Sequence, residues 1–215
     1  MNPSRFIPLC IGFLTAVLLS SCGTHKADKS TIGRNGKFKN PYAEGTYEHF
    51  KAEPSYPKTY NVWKNEALLA KTGPDNSHII ICVSKQRGLL MNGDEVALDY
   101  PICSGRSGHE TPEGKFEVLE KSVEKRSNRY GRLYDATGEC ISTDPDMTKD
   151  TIPEGGRFEG AEMRYWMRIT WDGIGHHIGP VKRYPASHSC IRGPSAIMPL
   201  VFSKVKVGTH ITVGQ

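Results

Sequence analysis

Long helical periodicity is missing from this chain of 215 residues, and no internal repeat is evident. Neither Cys-x-x-Cys nor His-Glu-x-x-His occurs, so the usual sequence signatures of a zinc site are absent. His176, His177, His188 and Cys190 are the set a zinc ion would otherwise use. No apolar run reaches the ~20 residues of a membrane-spanning helix. The longest, Ile7 to Leu19, stops short and is followed by polar residues. A concentrated basic stripe is lacking too. The 28 Lys and Arg are scattered among 23 acidic residues for a net charge of +5. That balance describes a solvated surface, not a nucleic-acid interface.

Arg5 ahead of the apolar run marks residues 1–21 as a signal peptide. The segment ends Leu19-Ser20-Ser21-Cys22-Gly23, which resembles a bacterial lipobox. The resemblance implies cleavage before Cys22 and acylation of its thiol and new amino group. Several acyl chains are what stable anchoring requires. An ordinary secreted protein with an incidental Cys22 is the alternative. Gly23 is unlike the aspartate that retains lipoproteins at an inner membrane. The expected location is therefore the cell envelope, lipid-anchored in the outer membrane and facing the periplasm. Residues 22–58 are rich in Lys, Gly, Pro, Ser and Asn, and read as a flexible tether whose few aromatics could pack on a domain surface. Residues 59–76 are a helical lead-in, with one short helix over Tyr60 to Lys71 stopped by Thr72-Gly73-Pro74.

From residue 77 to residue 215 the patterning is that of strands. Ile79-Ile80-Ile81-Cys82-Val83 is a buried β-branched run. Leu89-Leu90-Met91, Asn92-Gly93 and Val96-Ala97-Leu98 read as a hairpin. Tyr100 to Ser104 is another strand edge, and Thr111-Pro112-Glu113-Gly114 a turn. Ser122 to Phe158 reads as a loop-rich insertion with one hairpin. Met163 to Trp171 alternates, with Met163, Tyr165, Met167, Ile169 and Trp171 on one face and Arg164, Trp166, Arg168 and Thr170 on the other. Val201 to Val207 and His210 to Val213 close the chain as turn-punctuated strands. The fold class is mainly β: a β-sandwich-like domain with a few short helices, large enough for a real core.

The chemistry gathers in Tyr184-Pro185-Ala186-Ser187-His188-Ser189-Cys190-Ile191-Arg192, with His176-His177 upstream. A thiol that attacks a carbonyl needs a base or ion-pair partner, oxyanion donors and a holder for an anionic substrate. All three can be drawn from these residues. A buried cysteine beside a packed histidine is the competing explanation. An exported compartment permits disulfides. A catalytic Cys190 has to be free, which leaves at most one pair among Cys82, Cys103 and Cys140.

Several segments together resemble the YkuD-type L,D-transpeptidase catalytic domain. In order they are Ser104-Gly105, Thr111-Pro112-Glu113-Gly114-Lys115-Phe116, Met163 to Arg168, His177-x-Gly179-Pro180, Tyr184 to Arg192 and Val205 to Thr209. The resemblance spans roughly Ser77 to Val213. Three departures stand out. Ser189 replaces the glycine of the family's Ser-His-Gly-Cys, where glycine tolerates backbone angles that serine resists. Gly193 stands where an apolar residue is more usual, and the interval from histidine to cysteine is short.

The resemblance implies roles residue by residue. Cys190 is the nucleophile and His177, chosen by the Gly-Pro that follows it, is the base or imidazolium partner. Backbone amides of Ser189 and Cys190 are the oxyanion donors. His188 lines the pocket and orders the loop, and Ser187 braces it. Arg192 either binds a substrate carboxylate or makes a structural salt bridge. Tyr165 either lines the donor cleft or packs in the core. The implied reaction cleaves the L,D bond of a peptidoglycan tetrapeptide stem through a thioester. The acyl group then passes to a stem-peptide amine, a wall-linked lipoprotein's lysine, a D-amino acid or water. No metal or organic cofactor is expected. A catalytically silent wall-binding lipoprotein and a cysteine peptidase or amidase acting on proteins are the alternatives from other classes.

Overall fold

A computed structural model describes residues 38–215. The signal peptide, Cys22 and the first part of the tether lie outside the described residues. The elements in chain order are α1 (Tyr47–Ala52), β1 (Trp63–Lys64), α2 (Glu66–Lys71), β2 (Ser77–Cys82), β3 (Arg87–Asn92), β4 (Glu95–Pro101), β5 (Gly114–Glu117) and β6 (Glu120–Ser122). There follow β7 (Arg126–Tyr134), β8 (Cys140–Ser142), β9 (Arg157–Glu162), β10 (Trp166–Arg168), β11 (Gly175–Ile178), β12 (Ile191–Gly193), α3 (Met198–Ser203) and β13 (His210–Gly214).

Alternation along the strands sorts side chains into a core. Ile79 and Ile81 of β2 and Ile211 and Val213 of β13 are buried on one face of a six-stranded sheet ordered β1-β4-β3-β2-β13-β5. They meet Met167 and Ile191 of a four-stranded sheet ordered β12-β11-β10-β6, with Met198 and Val201 of α3. Burying each such aliphatic side chain contributes roughly 1.5–3 kcal/mol. The mainly β, sandwich-like architecture is the one the strand patterning implies. Cys103 and Arg192 exchange both backbone hydrogen bonds at 2.9 Å, tying the segment after β4 to β12.

Several local expectations need correction. The insertion is more regular than a loop with one hairpin, because β8, β7 and β9 form a three-stranded antiparallel sheet. The strand expected over Met163 to Trp171 shrinks to β10, since Tyr165 takes a positive φ of 55° and ends the ladder. Trp166 is then buried, and Trp171 is 78% exposed at the β10–β11 turn. Val201 to Val207 is not a strand. Pro199 sits in the first turn of α3, where its fixed φ suits a helix, and the buried Val201 is simply on the inner face. Of the helix expected over Tyr60 to Lys71 only α2 forms, capped by the Asn65 side chain accepting from Leu68 N at 3.1 Å. Trp63 and Lys64 pair with β4 instead.

Residues 38–58 depart furthest from the tether reading, because they are strapped onto the six-stranded sheet. The reason is a buried ion pair. Arg87 Nε lies 2.5 Å from Asp99 Oδ1 with both side chains wholly out of solvent. Tyr47 and Tyr56 donate their hydroxyls to Asp99 Oδ2 at 2.9 and 3.2 Å. Thr59 and Asn61 carbonyls accept from Arg87 at 3.0 and 3.1 Å. The rings of Phe50 and Tyr56 cover the guanidinium at 5.3 and 5.5 Å. A charged group out of water needs each of these partners, so the strap is part of the fold. Replacing Asp99 by Ala strands Arg87 without its counter-ion, and is expected to cost about 3–5 kcal/mol of unfolding free energy by urea titration.

Candidate active site

The parallel pairing of β11 with β12 sets the geometry. The register places His176 opposite Ile191 and His177 opposite Arg192. Neighbours in register leave the same face of a sheet, and successive residues leave opposite faces. His176 and Ile191 therefore enter the core, while His177 and Arg192 share the other side. Cys190, level with Gly175 just before β12, falls on that second side. Its Sγ lies 3.9 Å from the Gly173 carbonyl in the β10–β11 turn.

The two histidines have different work. His176 is fully buried, with Nε2 3.0 Å from the Tyr100 hydroxyl and Nδ1 2.8 Å from the Ile191 carbonyl. Both its nitrogens are committed to the core, so it does not join His177, His188 and Cys190 around a metal. Among the described residues no group of three or more His, Cys, Asp or Glu is placed to hold a metal ion. The Nδ1 of His177 is 2.7 Å from the Ile178 carbonyl. A carbonyl only accepts, so Nδ1 carries the proton and Nε2 keeps its lone pair. The Trp166 ring lies 5.8 Å from the His177 ring, and its Cη2 would sit 2.4 Å from a Cβ on Gly175. The indole thus walls the site, a role the sequence reading did not assign to it. Burial lowers the His177 pKa to about 3 and the His176 pKa to about 4. Burial likewise pushes the Cys190 thiol up, against a smaller opposing pull from the Gly175 backbone and Arg192. Both shifts favour the uncharged forms.

Hydrogen bonds shape the loop before Cys190. Ser189 has a φ of 74°, the left-handed conformation that glycine would adopt freely. Its carbonyl accepts from Thr111 Oγ1 at 2.7 Å, and Thr111 Oγ1 accepts from Gly105 N at 2.9 Å. Because that carbonyl shares a peptide plane with the Cys190 N–H, holding one orients the other. The Ser187 hydroxyl donates to the Cys190 carbonyl, and the Ala186 and Ser187 amides donate to the Ser104 carbonyl at 2.9 and 3.0 Å. The amides of Ser189 and Cys190 make no hydrogen bond to any described residue.

His188 stacks on Tyr130 of β7 at 3.9 Å and meets the edge of His109 at 5.0 Å. Its Nε2 accepts from Arg106 at 2.7 Å and lies 3.3 Å from Asp144. It therefore holds the loop before Cys190 to the inserted sheet. Arg192 rests its aliphatic stem on Gly179, where a Cβ would come within 2.8 Å of it. No carboxylate among the described residues pairs with its guanidinium, so the structural salt bridge considered for it does not form. Tyr165 is not placed beside Cys190. It packs edge-on against Phe202 of α3 at 5.4 Å, which decides for the core. Gly193 is needed because a Cβ there would come within 2.3 Å of Met198 Sδ and 3.2 Å of His176 Cε1. Cys103 is buried with its thiol 3.3 Å from the Tyr184 carbonyl, and Cys140 is exposed on β8; both are free thiols, so they do not pair. Exposed Trp171 borders a groove of about 580 Å³ that also includes Phe116, Ile169 and His210, one turn from Gly173.

A half-buried thiol, a buried imidazole with one ring nitrogen free and an arginine with no carboxylate partner among the described residues lie close to the β11–β12 pairing. The chain belongs to the YkuD family of L,D-transpeptidase catalytic domains, whose model matches residues 76–213. Among solved structures it resembles an L,D-transpeptidase from Mycobacterium smegmatis, with 18% identity and a TM-score of 0.50 over 65% of this chain and 59% of that one. It is also similar to an L,D-transpeptidase from Stackebrandtia nassauensis, with 12% identity and a TM-score of 0.49 over 78% of this chain and 64% of that one. The chain thus spans about three fifths of the length of these structures. At this identity the likeness is one of fold. No curated protein sequence matches the chain.

Two measurements follow from the site's energetics. The folded pKa values of His176 and His177 lie below the ordinary 6.5, so the unfolded chain binds protons that the folded chain excludes. Stability should be level above about pH 7 and fall as the pH drops from 6.5 towards 4. The loss should reach roughly 3 kcal/mol for His176 alone, read from urea midpoints across that range. Ser189→Gly should relieve the left-handed backbone and stabilise the fold by about 1 kcal/mol in the same assay.

Proposed function

We propose that the protein is a peptidoglycan L,D-transpeptidase with Cys190 as nucleophile and His177 as general base. The observation that carries this reading is the β11–β12 register, which sets His177 beside Arg192, with Cys190 directly preceding β12 and its Sγ 3.9 Å from the Gly173 carbonyl two residues before β11. Substrate binding brings a peptide carbonyl of the stem to Sγ. His177 Nε2 takes the thiol proton as the sulfur attacks. The negative charge on the carbonyl oxygen is met by the amides of Ser189 and Cys190. The tetrahedral adduct collapses by breaking the L,D peptide bond. D-alanine leaves with the proton held by His177, and a thioester on Cys190 remains. An acceptor amine then attacks the thioester, gives its proton to His177 and expels the sulfur. Arg192 suits the carboxylate of the stem, because its planar fork binds carboxylates bidentately.

Burial leaves the dyad neutral at rest, so the thiol is activated by proton transfer during attack and not by a preformed ion pair. Lipid on Cys22 would hold the domain at the envelope, where stem peptides are within reach. The stem-peptide or lipoprotein amine that receives the acyl group belongs to this same proposal.

Intact mass after incubation with meropenem, beside Cys190→Ala, tests the reading. A single adduct on the wild type and none on the variant is expected. No adduct on either would favour a silent wall-binding protein. A second outcome concerns pH. Alkylation of Cys190 by iodoacetamide should rise with a midpoint above the ordinary thiol value of 9.0, because burial disfavours the thiolate. A midpoint below 7 would instead reveal a thiolate–imidazolium pair.

A further inference from the structure

The nucleophile loop, residues 179–190, leaves β11 and returns beside it as β12, and halfway along it Arg183 has a φ of 60°. A non-glycine residue in that conformation must be held by its surroundings. The Arg183 guanidinium donates to the carbonyls of Pro57 and Gln86, to Lys58 O at 3.2 Å and to Lys85 O at 3.4 Å. These acceptors come from two places: the strap at 57–58 and the β2–β3 turn. Only a fork of several fixed donors reaches them together.

Gln86 closes the arrangement. Its carbonyl also accepts from Ile102 N at 2.9 Å. Its side chain grips Ser104 twice, donating to Oγ at 2.7 Å and accepting from the amide at 2.9 Å. Ser104 in turn receives the amides of Ala186 and Ser187, and the Ser187 hydroxyl holds the Cys190 carbonyl. Both halves of the nucleophile loop therefore hang from the same buried glutamine, one through Arg183 and the other through Ser104.

We infer that Arg183 is a positioning residue for the oxyanion amides of the nucleophile loop, and that through it the strap at 57–58, outside the matched family region, takes part in catalysis. The inference rests on Cys190 being the nucleophile. Arg183 touches neither substrate nor sulfur. It sets where the Ser189 and Cys190 amides stand, so its loss should harm attack on a carbonyl more than attack on a simple alkyl halide.

The test uses the full chain as wild type, Arg183→Ala and Arg183→Lys, with two probes of the same sulfur. Meropenem acylation needs the oxyanion amides; iodoacetamide alkylation, followed on the Cys190 peptide by mass, does not. Both variants should acylate about 10- to 100-fold more slowly at saturating meropenem, while Cys190 alkylation stays within about twofold of wild type. Ethylguanidinium at millimolar concentration should restore part of the acylation rate of Arg183→Ala, and tetramethylammonium should not. Wild-type acylation rates in both variants would overturn the inference while leaving the nucleophile reading intact. So would equal slowing of both probes, unrelieved by ethylguanidinium, which is the mark of a merely loosened fold. Should Arg183→Ala fail to fold, Arg183→Lys, which keeps the charge and loses the fork, decides by the same pair of rates. A wild type that takes up no meropenem overturns the nucleophile reading and this inference with it.

Discussion

Arg87 and Asp99 face each other with no solvent contact, and much of the molecule is arranged around keeping them satisfied. A buried ion pair contributes little net stability, yet leaving either partner alone is costly. The sheet itself supplies only the two charges. The remaining partners come from before the sheet: two tyrosine hydroxyls, two backbone carbonyls and two aromatic faces. The segment ahead of the family's catalytic domain is thereby drawn onto the sheet. Once there, it presents the carbonyls of Pro57 and Lys58 to Arg183. One electrostatic requirement in the core thus reaches the loop that carries Cys190.

The site trades charge for concealment. Burying His177 keeps it neutral, and its Nδ1 bond to the Ile178 carbonyl leaves the other nitrogen ready to accept a proton. Burying Cys190 disfavours its thiolate. Such a pair resists stray oxidation and alkylation better than a thiolate would, because the thiolate is the reactive species. The cost is borne by stability at low pH and by the left-handed backbone at Ser189. Thr111 and Ser187 hold that backbone in place from either side.

How much of this could be read beforehand depends on the range of the interaction. The Ile79–Ile81 run, the hairpin at Gly93 and the closing strand at His210 to Val213 were legible because alternation and turn residues are local signals. Ser189 was legible as a problem, since a serine in a glycine position points to a backbone angle. Val201 to Val207 misled because β-branched residues suit strands, whereas here Pro199 started a helix and packing on the core kept it. Met163 to Trp171 misled because alternation does not show that Tyr165 turns the chain. The strap was hidden for a different reason. Its composition is that of a tether, and its partners Asp99 and Arg183 lie 43 to 126 positions away in sequence.

By itself the sequence determined the mainly β class and the family, and it singled out the short stretch from Ser187 to Arg192, because these depend on patterns and neighbours along the chain. The choice of His177 over His176 was legible through the Gly-Pro that follows it, but only the tertiary structure gave the physical reason, the pairing of β11 with β12 that sends His176 into the core. It alone decided that Tyr165 goes to the core and Trp166 to the site wall, through one residue's positive φ. And it alone showed that Arg183 and Gln86 support the loop, because backbone carbonyls, which accept those hydrogen bonds, carry no signature in the side-chain sequence.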